Sequence, residues 1–214
     1  MNVRQNPLSP QSPVPQSHPA RLKRISVFCG SRNGVKPSYT EAAHKLGQAM
    51  LSRKIGLVYG GGGVGMMGRI SETVKNGGGE IIGIIPNALL AREVGRGDIG
   101  ELRIVRSMHE RKALMVEISD GFIAMPGGFG TFEEFCEIVT WAQLGLHSKP
   151  VGLLNIDCYF DPLIEQFDRA VSEEFAYPEN RRLVLHESDP NRLLDVMESY
   201  KPPNVQQWID PDEA

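Results

Sequence analysis

The 214-residue sequence has few cysteines, no long apolar run and no excess of positive charge. Its three cysteines, Cys29, Cys136 and Cys158, are far apart and odd in number, and no CxxC spacing occurs, which argues against a disulfide framework or a zinc site. No stretch approaches the roughly 18 apolar residues of a membrane helix. The formal net charge of -3 argues against a nucleic-acid polymer as main partner. We therefore predict a cytoplasmic protein with no membrane span, no metal and no nucleic-acid partner.

The composition predicts one folded domain with two loose ends. Residues 1–23 are rich in Pro, Ser, Gln and Asn and lack aliphatic periodicity, which is typical of a disordered tail. They also lack the charged segment followed by an apolar stretch that marks a secretory signal. Residues 24–200 have the ordinary composition of a globular domain. Residues 201–214 contain prolines and a terminal acidic cluster, and we predict a second loose tail there.

Within residues 24–200, short aliphatic segments alternate with segments of helical periodicity. The short segments are ISVFCG, IGLVYG, EIIGIIP, LRIV, GFIAMPG, PVGLLN and LVLHE. Apolar spacing of about 3.6 residues predicts helices that begin near Tyr39 and Arg111 and that span residues 131–144 and 161–175. Near-continuous apolar strands separated by helices indicate a parallel sheet covered on both faces. The fold predicted is a single-domain, Rossmann-like α/β fold with a doubly wound parallel sheet.

Ligands of such a fold bind beyond the carboxyl ends of the strands, and two strand-to-helix junctions there are rich in glycine. The first junction, GGGGVGMMG at residues 60–68, allows a close backbone approach to an anion, so Gly61, Gly62, Gly63 and Met66 are candidate binding residues. A tight turn explains one or two of these glycines, and a dinucleotide site also fits. The dinucleotide site is disfavoured because Asn87, not an acidic residue, follows the next strand.

The second junction, PGGFGTFEE at residues 126–134, combines glycines with two carboxylates. Thr131 and Glu134 match the spacing of a capping box, with Thr131 as N-cap, which gives Glu134 a purely structural explanation. The helix dipole also favours carboxylates in a first turn. Neither explanation accounts for three glycines. Glycines beside carboxylates instead indicate a phosphate site next to a general base.

A third junction carries positive charge. Arg111 and Lys112 follow the LRIV strand within the segment MHERK, where they are placed to clamp a phosphate or to orient a carboxylate. The alternative is a solvated, charged turn. Glu93 lies after the EIIGIIP strand, in a segment that we predict to be a loop.

Together, PGGFGTFEE, GGGVGMMG and MHERK resemble the LOG ("lonely guy") family of cytokinin riboside 5′-monophosphate phosphoribohydrolases, whose members are often mislabelled lysine decarboxylases. The resemblance covers residues 24–200. It implies that Arg111 and Glu134 are the catalytic pair, that no cofactor is needed, and that the protein is a homodimer with its active site near the interface. It also implies a set of nucleotide-binding residues: Glu93, Lys112, Gly127, Gly128, Phe129, Gly130, Thr131, Phe132, Glu133 and Thr140.

The expected reaction is hydrolysis of the N-glycosidic bond of a cytokinin riboside 5′-monophosphate, and of AMP, to give the free base and ribose 5-phosphate. Two alternatives stay open: a general AMP or purine-nucleotide nucleosidase, and a non-catalytic nucleotide sensor on the same fold. A lysine decarboxylase is disfavoured because Lys112 is the only lysine near a candidate site and adjoins an arginine rather than an apolar pocket. The choice between Glu133 and Glu134 as the catalytic carboxylate also stays open.

Overall fold

The structure is a computed structural model that describes residues 22–93 and 100–204, with only the backbone described for residues 91–93. The predicted tails therefore fall largely outside the described residues. Two residues of the predicted N-terminal tail are inside them and are packed. Leu22 is buried, and the backbone N–H of Lys23 donates a hydrogen bond to Oδ2 of Asp120 at 2.8 Å. The folded domain thus includes Leu22 and Lys23.

The described part of the chain contains seven strands and eight α-helices, and each strand is followed by at least one helix. The strands are β1 (Arg24–Phe28), β2 (Gly56–Tyr59), β3 (Ile81–Pro86), β4 (Glu101–Val105), β5 (Gly121–Ala124), β6 (Val151–Leu154) and β7 (Val184–Glu187). The helices are α1 (Pro37–Arg53), α2 (Gly65–Asn76), α3 (Asn87–Glu93), α4 (Met108–Ile118), α5 (Phe129–Gln143), α6 (Asp161–Ser172), α7 (Pro178–Arg181) and α8 (Pro190–Glu198). All seven predicted strands are present.

The strands form one parallel sheet in the order β4-β3-β2-β1-β5-β6-β7. Successive side chains of a strand point to opposite faces of the sheet, so the sheet has two apolar cores. Helices α1, α2 and α8 cover one core, and α4, α5 and α6 cover the other. This arrangement confirms the predicted doubly wound, Rossmann-like fold. The strand order reverses between β1 and β5, which makes that boundary the switch point where such folds bind ligands.

Two local predictions were wrong. The segment predicted as a loop around Glu93 is helix α3, because Asn87 is followed by alanines and leucines, which favour a helix. Helix α6 ends at Ser172 rather than at residue 175, and Glu174 just beyond it has a φ of 62°, a left-handed conformation that ends a helix. Among the described residues, no helix has both the length and the apolar character needed to cross a bilayer.

Candidate active site

Three loops meet at the carboxyl edge of the sheet, after β1, β2 and β5. The backbone N–H of Gly30 donates to the carbonyl of Pro126 at 3.1 Å, and the N–H of Met66 donates to the carbonyl of Gly30 at 3.1 Å. These bonds fix the loops against one another at the switch point. A cavity of about 290 Å³ lies among them. It is lined by Gly30, Ser31, Arg32, Asn33, Gly34, Tyr39, Met66, Pro126, Gly127, Gly128 and Tyr159.

Arg111 and Glu134 form a buried ion pair at this edge. Nη2 of Arg111, on α4, lies 3.0 Å from Oε1 of Glu134, on α5, and the side chains are 8% and 10% exposed. The alternative prediction, that Arg111 lies in a solvated, charged turn, is therefore wrong. Ser107 caps α4 by accepting a hydrogen bond from the N–H of Glu110 at 3.1 Å, so the helix begins early enough to carry Arg111 inward.

The position of Arg111 depends on the absence of a side chain at Gly60. A Cβ at Gly60 would collide with Nη2 of Arg111. Within the described part of the chain, Nε of Arg111 is buried and has no hydrogen-bond partner, so the guanidinium retains a donor for a ligand. Burial raises the pKa of the Cys29 thiol, and the nearby Glu134 carboxylate raises it further. Cys29 therefore stays a neutral thiol beside the pair.

Lys112 forms a second charged cluster with two carboxylates of α5. Its Nζ lies 2.6 Å from Oε1 of Glu133 and 2.7 Å from Oε2 of Glu137. Burial by itself lowers the pKa of Lys112, but the hydrogen bonds to the two carboxylates outweigh it, and the pKa lies above its usual value. The sequence reasoning missed Glu137, although its position four residues after Glu133, one helical turn away, was a readable signal.

The N-terminus of α5 is not capped as the sequence predicted. The helix begins at Phe129 with Gly128 as N-cap, and no side chain caps it. Thr131 is already the third helical residue, because the carbonyl of Gly128 accepts the N–H of Phe132 at 3.1 Å. The capping box of Thr131 and Glu134 is therefore wrong. Since neither carboxylate caps the helix, both Glu133 and Glu134 are available for chemistry.

Two glycines at the start of α5 are not required by the packing of the described residues. A Cβ at Gly128 or at Gly130 would have no described atom within 4 Å. Gly127 differs, because a Cβ there would collide with the side chain of Thr131. Open space at Gly128 and Gly130 leaves the first-turn N–H groups accessible, which is the arrangement that binds an anion at a helix N-terminus.

The four residues predicted at the first glycine loop do not form a single site. Gly61 has a φ of +77° and packs under Leu102, and Gly62 packs against Met67, so both are explained by the turn itself. Gly63 lines a separate cavity of about 570 Å³ between α1 and α2. Only Met66, which is buried, lines the cavity at the switch point.

The other predicted residues lie in different environments. Phe129 is 93% exposed at the start of α5, whereas the Phe132 ring stacks on Tyr159 with centroids 6.4 Å apart. Thr140 lies nearly three turns along α5, where its hydroxyl donates to the carbonyl of Cys136 at 2.8 Å. Within this chain, Thr140 is thus not brought to the Arg111–Glu134 pair. The side chain of Glu93 is outside the described residues.

The sequence reasoning also missed the aromatic residues of the switch-point cavity. Tyr39 and Tyr159 line it, together with the loop at residues 30–34. The glycine at the end of β1 was the available signal for the loop. No sequence signal marked Tyr159, because it follows β6 and lies beside the cavity only once the chain has folded. Among the described residues, no group of three or more His, Cys, Asp or Glu is placed to hold a metal ion.

The chain is similar to plant enzymes over most of its length. It is 50% identical over 185 residues to the probable cytokinin riboside 5′-monophosphate phosphoribohydrolase LOGL9 of Oryza sativa subsp. japonica, with 86% of this chain and 82% of that protein covered. It is also 50% identical over 183 residues to the cytokinin riboside 5′-monophosphate phosphoribohydrolase LOG7 of Arabidopsis thaliana, with 86% and 84% covered. This chain belongs to the LOG family. The family model that matches residues 67–197 is described as "Possible lysine decarboxylase".

Solved structures share the fold of this LOG family member. The molybdenum cofactor binding protein from Rippkaea orientalis aligns with a TM-score of 0.62 and 25% identity, covering 84% of this chain and 98% of that one. The Moco carrier protein from Chlamydomonas reinhardtii aligns with a TM-score of 0.61 and 22% identity, covering 84% and 97%. The second similarity is one of fold alone.

Proposed function

We propose that this chain hydrolyses the N-glycosidic bond of cytokinin riboside 5′-monophosphates, and of AMP, to release the free base and ribose 5-phosphate. The observation that carries the proposal is the buried Arg111–Glu134 ion pair beside the uncapped N-terminus of α5. The relatives at 50% identity are named for this activity, which supports the choice of substrate.

The 5′-phosphate binds at the start of α5 in this proposal. The free N–H groups of the first turn and the positive end of the helix dipole favour a dianion there. The open space at Gly128 and Gly130 lets the phosphate reach the backbone. Lys112 holds the Glu133 and Glu137 side chains of this helix in place, and those two carboxylates offset its own positive charge. The substrate must therefore carry a 5′-phosphate, because a free riboside has no anionic group to bind at this helix N-terminus.

Glu134 acts on the ribose. Breaking the bond between the anomeric carbon and the base nitrogen develops positive charge on the ribose ring, and a nearby carboxylate stabilises that charge. A water oxygen bonds to the anomeric carbon, the electron pair of the broken bond leaves with the base, and the base nitrogen gains a proton as the water loses one. Arg111 holds the Glu134 carboxylate in position, and its unpartnered Nε is available to the nucleotide.

We assign the catalytic role to Glu134 rather than to Glu133. Glu134 is buried and oriented by a guanidinium, whereas the Glu133 side chain is 54% exposed and is held by Lys112. Water-excluded, fixed charges stabilise a transition state more strongly than solvated ones. Glu133 is placed instead to accept a hydrogen bond from a ribose hydroxyl.

The active unit that we propose is a cytoplasmic homodimer. Three observations support it: Thr140 lies on the same side of α5 as Glu133 and Glu137, Glu133 and Thr140 are exposed there, and Thr140 contacts no residue of the Arg111–Glu134 pair in its own chain. A second copy that packs on this side would bring Thr140 to the rim of an active site.

Glu93 remains a proposed nucleotide-binding residue. The three cysteines are unpaired, which suits a reducing compartment.

Incubation with isopentenyladenosine 5′-monophosphate and with AMP tests the proposal. Chromatography of the products is expected to show free base and ribose 5-phosphate in equal amounts. The ratio of kcat/KM values for the two substrates decides between cytokinin activation and a general purine-nucleotide nucleosidase. Nucleotide binding without any base release would contradict the proposal and support a sensor.

A further inference from the structure

Tyr159 connects the loop after β6 to the glycine loop at the start of α5. It follows a short 3₁₀ turn (Ile156–Cys158), and its hydroxyl donates a hydrogen bond to the carbonyl of Gly127. Its ring lies edge-on to Tyr39, with centroids 5.8 Å apart, and stacks on Phe132. The ring is therefore fixed on two sides while the hydroxyl holds the loop.

The backbone just before Tyr159 is strained and tethered. Asp157 and Cys158 have φ values of 51° and 60°, which are left-handed and unfavourable for residues other than glycine. The Asp157 carboxylate accepts a hydrogen bond from Oγ of Ser38 at 2.7 Å and lies 3.4 Å from Nζ of Lys36. Contacts with the start of α1 thus tether the turn that directs Tyr159 to Gly127.

The carbonyl of Gly127 determines where the next N–H points. In a trans peptide the C=O and the following N–H point in opposite directions, so fixing the Gly127 oxygen fixes the Gly128 N–H. The preceding carbonyl, that of Pro126, is held in the same way by the N–H of Gly30 at 3.1 Å. Both carbonyls, whose dipoles would repel a phosphate, are thereby occupied by hydrogen-bond donors of the protein.

We propose that Tyr159 is a positioning residue for the 5′-phosphate site, an inference that rests on the proposed function. Its hydroxyl keeps the peptide between Gly127 and Gly128 oriented with its N–H toward the phosphate. The phosphate is bound in both the ground state and the transition state, so loosening this peptide weakens both equally. Such uniform binding changes KM and leaves kcat unchanged.

The test is Tyr159→Phe, which keeps the ring and removes only the hydroxyl. We expect KM for isopentenyladenosine 5′-monophosphate to rise about fivefold at unchanged kcat, the effect of one ordinary hydrogen bond. Calorimetry is expected to show a similar weakening for ribose 5-phosphate and no change for adenine, which carries no phosphate. Tyr200→Phe is the matched control: Tyr200 is half-buried, follows α8 at the opposite edge of the sheet, and its hydroxyl has no hydrogen bond to a described residue.

Three outcomes would overturn the inference. The first is an unchanged affinity for ribose 5-phosphate in Tyr159→Phe. The second is an equal loss of affinity for ribose 5-phosphate and adenine, and the third is a fall in kcat with KM unchanged; each of these two would show general distortion of the site. Failure of the proposed function is distinguishable, because in that case the wild-type protein itself would release no base.

Discussion

Nη2 of Arg111 lies 3.0 Å from Oε1 of Glu134, and the two side chains come from different helices, α4 and α5. Both are almost completely buried, and Gly60 leaves the space that the guanidinium occupies. Burying two charges costs free energy that their attraction seldom exceeds, so the pair is not explained by stability alone. Its position, at the carboxyl edge of the sheet and beside an open helix N-terminus, supports the catalytic role that we propose for it.

Glu134→Gln is expected to abolish turnover while the fold and nucleotide binding persist. The amide keeps the size and one hydrogen-bond acceptor but removes the charge that stabilises the ribose cation, so kcat should fall by about 10²-fold or more. Stability should fall by less than the roughly 3–5 kcal/mol expected when a buried pair loses one partner entirely. Glu133→Gln is the control, with a smaller fall in kcat. Wild-type turnover by Glu134→Gln would assign the catalytic role elsewhere.

Gly130→Ala is expected to stabilise the protein while it weakens binding of the monophosphate. A Cβ there would meet no described atom, and alanine favours a helix over glycine, so the free energy of unfolding should rise by about 0.5 kcal/mol. The methyl group would occupy the space of the phosphate, so KM for the monophosphate should rise at least tenfold. Denaturant titration and steady-state kinetics measure the two effects. An unchanged KM would place the phosphate away from this helix.

Gly60→Ala is expected to inactivate the protein through Arg111. The new methyl group would collide with Nη2 and displace the guanidinium from Glu134. We expect kcat to fall about 10²-fold, because the carboxylate loses the group that orients it. The matched control is Gly56→Ala at the other end of β2, where the nearest atoms to the methyl group would belong to the half-exposed side chain of Glu80. Equal losses of activity in both variants would show that the effect is on the strand rather than on Arg111.

His147 is expected to make the protein less stable in mild acid. Burial, with a smaller contribution from Lys149, lowers the pKa of His147 to about 4, although a hydrogen bond to the carbonyl of Ile138 opposes the shift. Because the folded-state pKa lies below the unfolded value of 6.5, the stabilisation is present above pH 6.5 and is lost as the pH falls toward 4. By pH 5 the free energy of unfolding should have fallen by about 2 kcal/mol.

Urea titrations of the wild type and of His147→Gln between pH 7.5 and pH 5 test this expectation. The variant lacks the titrating group and should show a flatter dependence on pH over that interval. Parallel pH profiles for the two proteins would attribute the acid sensitivity to other groups.

The sequence predicted the strands and the parallel sheet because both depend on local patterns. A buried parallel strand is a short, nearly continuous aliphatic segment, and such a segment can be recognised in the sequence without knowledge of distant residues. The start of α5 was predicted two residues late, because Thr131 and Glu134 have the spacing of a capping box. The structure begins the helix at Phe129 instead, where glycine leaves the first turn open. A spacing rule could not detect that the cap was absent.

Residues that reach the site through the fold could not be predicted in this way. Arg111 and Glu134 were identified by motif, but their contact depends on Gly60, a residue from a third element. Tyr159 lies 32 residues after the Gly127 carbonyl that it holds, in a segment with no motif of its own. Such relationships depend on strand order, and strand order is not a local property of the sequence.

The most direct test of the central claim is a comparison of isopentenyladenosine 5′-monophosphate with its free riboside. Purified wild-type protein is incubated with each at equal concentration, and the released base is measured over time. The account predicts release of base from the monophosphate, with a kcat/KM at least 10²-fold above that for the riboside, because only the monophosphate can use the open N-terminus of α5. Equal rates for the two substrates, or no base from either, would contradict it.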